Sequence, residues 1–192
     1  MTDEKLTGFL SEKGLCLRLL DDEHMIDWFD CGRDEKMNSW LSRHARKWQA
    51  ERLCQVWILS YSETPGDPIG FFTLSAHQVA PAFVPKGHRA DAGENKSWVN
   101  NLDTAFPASL LGKFALAAHA QGKGLGNTLM LCVYAQHLRA AEYQGSKFLV
   151  LDVQNDSLAK YYQKRFGFMR QKGSKRMIKS TETILAELKA AL

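Results

Sequence analysis

One glycine-rich segment constrains the fold of this 192-residue chain more than any other feature. Gln121-Gly122-Lys123-Gly124-Leu125-Gly126-Asn127 separates a predicted strand (109–118) from a predicted helix (125 to about 143). Glycine reaches left-handed torsion angles and admits a ligand close to the main chain, and the N–H groups at a helix start favour an anion. The segment predicts a pyrophosphate-binding loop, although a plain strand-to-helix turn would also explain the glycines. Its spacing fits neither the P-loop nor the dinucleotide-binding pattern.

The rest of the chain has a mixed α/β pattern. Apolar and β-branched runs predict strands at 15–20, 55–61, 69–78, 148–153 and 176–179, with a hairpin turn at 65–68. Met37, Trp40, Leu41, Ala45 and Trp48 recur at helical spacing and predict one buried helix face. A short helix is expected from Asn155 or Asp156 to Phe166, a last helix at 181–192, and an irregular loop at 81–107. The length favours a single domain over 1–192.

Composition restricts the class of protein. The formal charge of +4 is a weak basic bias. The four cysteines form no Cys-x-x-Cys pair and the six histidines form no His-Glu-x-x-His motif, so no metal is expected. No apolar run approaches the roughly 18 residues that span a bilayer, and the N-terminal sequence does not resemble a signal peptide. We expect a soluble, cytoplasmic protein with no membrane contact.

Two motifs in order resemble the GNAT superfamily of N-acetyltransferases. Gln121 to Gly126 resembles its Gln/Arg-x-x-Gly-x-Gly/Ala pattern, and Tyr161-Tyr162 followed by Phe166-Gly167-Phe168 resembles its second landmark. The resemblance covers about 109–180 well. It implies a mixed, mostly antiparallel sheet that is splayed between strands 4 and 5, with helices on both faces. It also implies acetyl-CoA as co-substrate.

The resemblance further implies which residues bind the cofactor. Strand-edge groups would bind the pantetheine arm, and loop amides would bind the pyrophosphate. The expected cofactor-binding residues are Phe114, Ala115, Leu116, Gln121, Gly122, Lys123, Gly124, Leu125, Gly126, Asn127, Asn155, Ala159 and Tyr162. For Asn155, a helix cap is the alternative interpretation.

Tyr162 is the expected catalytic residue by its position in the second landmark. A phenol, with a pKa of about 10, can protonate a departing thiolate, whose thiol has a pKa of about 8.5. The alternative is a core aromatic residue on an amphipathic helix. Tyr161 is the neighbouring candidate.

The sequence constrains the acceptor of the acetyl group less than it constrains the cofactor. Many superfamily members carry a glutamate base on the fourth strand, but residues 109–118 contain no acid and include Lys113. An α-amine, with a pKa of roughly 7.7–8.0, needs no strong base. We therefore expect Lys113, Lys164 and Arg165 to contact an anionic substrate, with plain solvent exposure as the alternative.

The first half resembles one branch of the superfamily. Phe29-Asp30-Cys31-Gly32 and Met37-Asn38-Ser39-Trp40-Leu41 are similar to the opening of tRNA-acetylating toxins. That likeness implies the α-amine of aminoacyl-tRNA as acceptor, a ribbon-helix-helix antitoxin as partner, and a homodimer. Two alternatives remain open: an acetyltransferase for small-molecule or protein amines, and a non-catalytic acyl-CoA-binding module.

Overall fold

The computed structural model describes residues 2–32, 34–84, 105–170 and 174–192. The strands are β1 (Leu15–Leu19), β2 (Gln55–Tyr61), β3 (Thr64–Val79), β4 (Phe106–Leu116), β5 (Phe148–Asp152), β6 (Met169–Arg170) and β7 (Arg176–Ser180). The helices are α1 (Thr2–Glu12), α2 (Glu35–Ala50), α3 (Leu125–Gln144), α4 (Asp156–Phe166) and α5 (Thr181–Ala191).

The strands follow the order β1-β2-β3-β4-β5-β7-β6 in the sheet. β4 and β5 pair in parallel, whereas the β1–β2, β2–β3, β5–β7 and β6–β7 pairs are antiparallel. The parallel register ends at Leu110↔Val150, and β4 continues from there to Leu116. The predicted mixed, mostly antiparallel sheet is confirmed.

Two compact units divide the chain. The first unit comprises Met1–Ser75, Gly112–Gln136 and Leu192, and the second comprises Ala76–Leu111 and His137–Ala191. β3, β4 and α3 each contribute residues to both. The single domain that the length favours stays a prediction.

In the first unit, α2 packs as its periodicity predicts. Trp40, Leu41 and Ala45 are buried, and Trp40 stacks on Phe71 of β3 with ring centroids 6.1 Å apart. Burying a large apolar side chain stabilises a fold by roughly 1.5–3 kcal/mol. Trp48, expected on the same face, is 41% exposed because it lies at the edge of this contact, perpendicular to Trp40.

The hairpin turn between β2 and β3 lies at a different place from the predicted one. Tyr61 pairs with Thr64, so the turn is at 62–63, and the predicted turn at 65–68 lies inside β3. Its Gly66 accepts a hydrogen bond from Met25 N (2.8 Å), and a Cβ on Gly66 would lie 2.9 Å from the Glu23 oxygen. Close approach by the 23–25 segment explains these turn-forming residues within a strand.

β4 and α3 frame the glycine segment. β4 begins at Phe106 and ends at Leu116, earlier at both ends than expected, and Ala118–Ala120 is a 3₁₀ turn. α3 starts at Leu125 as predicted and ends before Gly145. Gly145 has a φ of +71° and its N–H donates to Ala141 O, as a helix-terminating glycine does.

The second unit has its own apolar core. Phe106 and Phe148 meet edge to face and pack with Val79, Val84 and Ile178. α4 and α5 were predicted within a residue of their observed ends, whereas β6 was not predicted. Most of the irregular 81–107 segment lies outside the described residues.

A buried polar network joins α3, β4 and α5 of the second unit to the segment that precedes β5. His137 Nδ1 lies 3.0 Å from Ser109 Oγ, and its Nε2 lies 2.9 Å from Thr181 Oγ1. The Thr181 hydroxyl donates to Ser146 O, so it accepts from His137, which places the imidazole proton on Nε2. Burial lowers the pKa of His137 to about 4, so the imidazole is neutral near pH 7.

Candidate functional site

The loop between β4 and α3 has the backbone expected of an anion site. Gly122 and Gly124 have φ values of +76° and +79°, which L-residues with a Cβ rarely adopt. A Cβ built on either would meet no atom within 4 Å. The backbone conformation, and not crowding by neighbouring atoms, therefore explains the two glycines. Lys123, between them, is exposed.

This loop carries a row of unpaired donors. The main-chain N–H groups of residues 122–126 donate to no acceptor within the described part of the chain. At either side, Gln121 N donates to Ala118 O and Asn127 N donates to Gly124 O (3.1 Å). Alternating left-handed glycines and a helix start direct such donors toward an anion. The geometry therefore fits a phosphate or diphosphate.

The side chain of Gln121 lies against the protein. Its Nε2 donates to Cys31 O and to Leu116 O, each at 3.0 Å. Gln121 was expected among the cofactor-binding residues. In the structure its amide joins the end of β4 to the 29–32 segment.

The end of β4 packs closely on β3. A Cβ on Gly70 would lie 2.7 Å from Leu116 Cδ2 and 3.2 Å from Ala115 O, so a side chain here would displace Leu116 and crowd the carbonyl of Ala115. Ala115 is buried, and Phe114 and Leu116 are half-buried.

Lys113 is half-buried on β4 and does not extend freely into solvent. Its main-chain N–H donates to Thr73 Oγ1 (2.9 Å), and its Nζ lies 5.5 Å from the centroid of the Trp40 ring. A cation over an indole face is attracted by the ring quadrupole. Lys113 therefore presents an ordered positive charge beside α2.

Tyr162 lies on α4 in an aromatic cluster of the second unit. Its ring centroid is 5.5 Å from Tyr161, 5.9 Å from Phe166 and 6.0 Å from Phe168. Burial, followed by the neighbouring Tyr161, raises the pKa of Tyr162 well above its ordinary value. The phenol is thus protonated at every physiological pH, as a proton donor requires. The same shift increases the difference between the pKa of the Tyr162 phenol and the pKa of a thiol.

The other expected residues of α4 occupy different positions along it. Asn155 is the N-cap: its Oδ1 accepts from Leu158 N (2.9 Å), so the cap alternative accounts for that oxygen. Ala159 is buried. Lys164 and Arg165 are exposed in the last turn of α4, before Gly167 ends it with a φ of +66°.

Arg46 of α2, a further basic residue, binds the protein itself. It donates to Asp21 O and to His24 O, the latter at 2.8 Å. Within the described part of the chain, no three His, Cys, Asp or Glu side chains are grouped as a metal site. No helix there is both long enough and apolar enough to cross a membrane.

Sequence analysis identified Asp30 and Asn38 only as parts of a family motif. In the structure, Asn38 Oδ1 accepts from Cys31 N (2.9 Å) and its Nδ2 donates to Asp30 Oδ1 (3.0 Å). Only the motif could have indicated this pair, because two residues eight positions apart across a turn leave no periodic pattern in the sequence.

Fold and loop together define an α/β protein with a row of unpaired main-chain donors at the start of the longest helix among its described residues. The model of the acetyltransferase (GNAT) family matches residues 16–168. The chain belongs to this family, and it is an acetyl-CoA-dependent acetyltransferase.

Solved structures are similar to the chain along most of its length. A tyrosine-to-phenylalanine mutant of KacT has a TM-score of 0.76 at 23% identity, covering 91% of this chain and 99% of that chain. AtaT complexed with acetyl-methionyl-tRNAfMet has a TM-score of 0.76 at 22% identity, covering 90% and 98%. AtaTR bound with AcCoA has a TM-score of 0.69 at 21% identity, covering 91% and 98%. At these identities the likeness confirms the fold.

Proposed function

We propose that the chain acetylates the α-amino group of aminoacyl-tRNA and acts in the cytoplasm as the toxin of a toxin–antitoxin module. The observation that supports binding of acetyl-CoA is the row of unpaired N–H groups at residues 122–126. Five main-chain donors at the start of a helix suit the two phosphates of coenzyme A. No side chain of the loop suits them as well.

The row of donors binds the diphosphate, and Lys123 adds a mobile positive charge. Phe114, Ala115 and Leu116 contribute main-chain groups of β4 to the pantetheine arm, and Asn155 and Ala159 contact it from the start of α4. When bound, acetyl-CoA supplies the acetyl group as a thioester, whose carbon the amine attacks and whose sulfur leaves.

Tyr162 donates a hydrogen bond or a proton to the departing sulfur. Its raised pKa keeps the proton on the phenol before reaction. Because that pKa lies above the pKa of a thiol, full transfer is uphill, and donation of a strong hydrogen bond to the developing thiolate is the greater part of its role.

Three observations support the acceptor. AtaT, which has this fold, has been solved with acetyl-methionyl-tRNAfMet. Residues 109–118 contain no acid, which suits an amine that is partly neutral near pH 7. Lys113 places a positive charge on β4, where a cationic amine would be repelled and an anionic substrate attracted. Lys164 and Arg165 add exposed charges for tRNA phosphates.

Incubation with [acetyl-¹⁴C]acetyl-CoA and charged tRNA tests the proposal. We expect RNase-sensitive label that mild alkali releases as an N-acetylamino acid, because alkali cleaves the aminoacyl ester. Uncharged tRNA, and charged tRNA with a chemically blocked α-amine, are the controls. Label that enters only small amines or proteins would support the alternative acceptor class.

The partners belong to the same proposal. AtaT has been solved as a toxin bound to the C-terminus of the antitoxin AtaR, and we propose a ribbon-helix-helix antitoxin and a homodimer for this chain. Light scattering of the purified protein tests the dimer. Growth arrest on expression, relieved by a small DNA-binding protein encoded beside it, tests the module.

A further inference from the structure

Asn38, in the first turns of α2, has both functional atoms of its side chain bonded to one short segment. Its Oδ1 accepts from Cys31 N at 2.9 Å, and its Nδ2 donates to Asp30 Oδ1 at 3.0 Å. An amide that donates and accepts at two successive residues fixes both the position and the orientation of that segment.

Asp30 and Cys31 also accept hydrogen bonds from both ends of the 3₁₀ turn (Ala118–Ala120) that precedes the glycines. Asp30 O accepts from Ala118 N (2.8 Å), and Cys31 O accepts from Gln121 Nε2 (3.0 Å). A continuous set of hydrogen bonds therefore runs from α2 to the residue before Gly122.

The segment is compact where it meets that turn. Asp30 Oδ1 also accepts from Gly32 N at 2.7 Å, so one carboxylate oxygen serves both Gly32 and Asn38. Gly32 has a φ of +88°, and a Cβ built on it would lie 3.7 Å from Ala118 Cβ. A side chain at position 32 would therefore contact the turn, and glycine leaves that space open.

We propose that Asn38 is a positioning residue for the cofactor site and acts through Asp30, Cys31 and Gln121. This rests on the proposed role of residues 122–126. A glycine-rich loop loses much conformational entropy when it binds a ligand, and restraint at one end lowers that loss before binding. Asn38 and Asp30 touch no substrate in this role. They keep the row of donors in its binding conformation.

Two variants at position 38 separate the lost hydrogen bonds from the added charge. Asn38→Asp removes the donor and places two carboxylates within hydrogen-bond distance, so the pair repels. Asn38→Ala removes both bonds of the side chain and adds no charge. Gln55→Glu adds a negative charge at an exposed residue of the first unit and is the charge control.

Calorimetry with acetyl-CoA and steady-state kinetics measure the outcome. We expect Asn38→Asp to raise Kd and KM for acetyl-CoA about tenfold, with kcat at saturation within about twofold, since one lost hydrogen bond and one repulsion are involved. Asn38→Ala should raise Kd about fivefold, since it loses both hydrogen bonds without the repulsion. Gln55→Glu should change Kd less than twofold.

Gly124→Ala is measured in the same series to separate the two claims. If the parent chain binds acetyl-CoA and Gly124→Ala binds equally well, the proposed cofactor loop is wrong. If Gly124→Ala binds weakly and Asn38→Asp binds normally, the positioning role alone is wrong. Should Asn38→Asp fail to fold, Asn38→Ala decides, and a Kd within twofold of the parent chain overturns the role.

Discussion

Lys179, fully buried on β7, forms an ion pair with Glu187 of α5, with Nζ 2.5 Å from Oε2, and also donates to Phe166 O at the end of α4. Glu187 is about half exposed. The two partners are therefore not equivalent. Removing the carboxylate leaves a buried ammonium short of a partner, whereas removing the ammonium leaves a carboxylate that can turn to water.

The first prediction follows from this asymmetry. Glu187→Ala should lower the free energy of unfolding by about 2–4 kcal/mol, more than Lys179→Met, which should cost about 1–2 kcal/mol. Urea unfolding at pH 7 measures both values. Glu182→Ala removes the other glutamate of α5, which pairs with the partly exposed Lys147, and it should cost less than Glu187→Ala because neither partner of that pair is fully buried. Equal losses for Glu187→Ala and Lys179→Met would contradict the burial argument.

The second prediction concerns pH and His137. Its pKa is lowered to about 4 in the folded chain, because the imidazole is buried, while an unfolded histidine has a pKa of about 6.5. Between these values the unfolded chain binds a proton that the folded chain does not. Stability is therefore lost as pH falls from about 6.5 to about 4, by up to about 3 kcal/mol. Urea unfolding at several pH values measures the slope, which should shrink in His137→Gln.

The third prediction concerns the backbone of the glycine loop. Gly124→Ala places a Cβ at a φ of +79°, which costs roughly 1–2 kcal/mol in torsional energy and shifts the row of donors. We expect the Kd for acetyl-CoA to rise about tenfold. Gly8→Ala is the matched control, since Gly8 lies in α1, where alanine is the better helix former and its Cβ meets nothing. It should leave Kd unchanged.

The fourth prediction concerns Tyr162. Tyr162→Phe should reduce kcat by about 10²–10⁴-fold and leave the Kd for acetyl-CoA within about twofold. Tyr161→Phe, on the adjacent residue, should keep most of the activity. Because the pKa of Tyr162 is raised, kcat of the parent chain should show no decline through loss of the phenol proton up to about pH 9.5. A decline that is absent from Tyr162→Phe would contradict this assignment.

The fifth prediction concerns Lys113. Lys113→Met keeps the length of the side chain over Trp40 and removes its charge. We expect KM for charged tRNA to rise and the slope of log binding constant against log salt to fall by about one, as for one lost phosphate contact. Acetyl-CoA affinity should not change. An unchanged salt slope would place Lys113 outside the tRNA-binding surface.

Local signals predicted much of the fold. β2 and the start of α3 lie where β-branched content and the glycine segment placed them, and Asn155 and Gly167 bound α4 as cap and terminator. These features depend on residues within one turn of the boundary. α1 was not predicted, since its buried Leu6 and Leu10 are a sparse pattern beside exposed Thr7 and Gly8.

Features that depend on distant partners were not available from the sequence. Gly66 lies in a strand because the carbonyl of Glu23 approaches it, and nothing near 65–68 encodes that contact. The candidate site likewise contains features that nearby residues encode and features that depend on distant partners. Gly122 and Gly124 have the left-handed backbone that their spacing implies, whereas the bond of Gln121 to Cys31 spans ninety positions.

The main-chain recognition of coenzyme A that we propose for residues 122–126 affects how such a chain can diverge. A donor that belongs to every amino acid except proline survives replacement of almost any side chain, provided that the few left-handed positions keep their glycines. Acceptor specificity can then drift through positions such as Lys113 while coenzyme use stays constant. Inhibitors that imitate the diphosphate would meet a target with few routes to resistance, and those that imitate the acceptor would meet many.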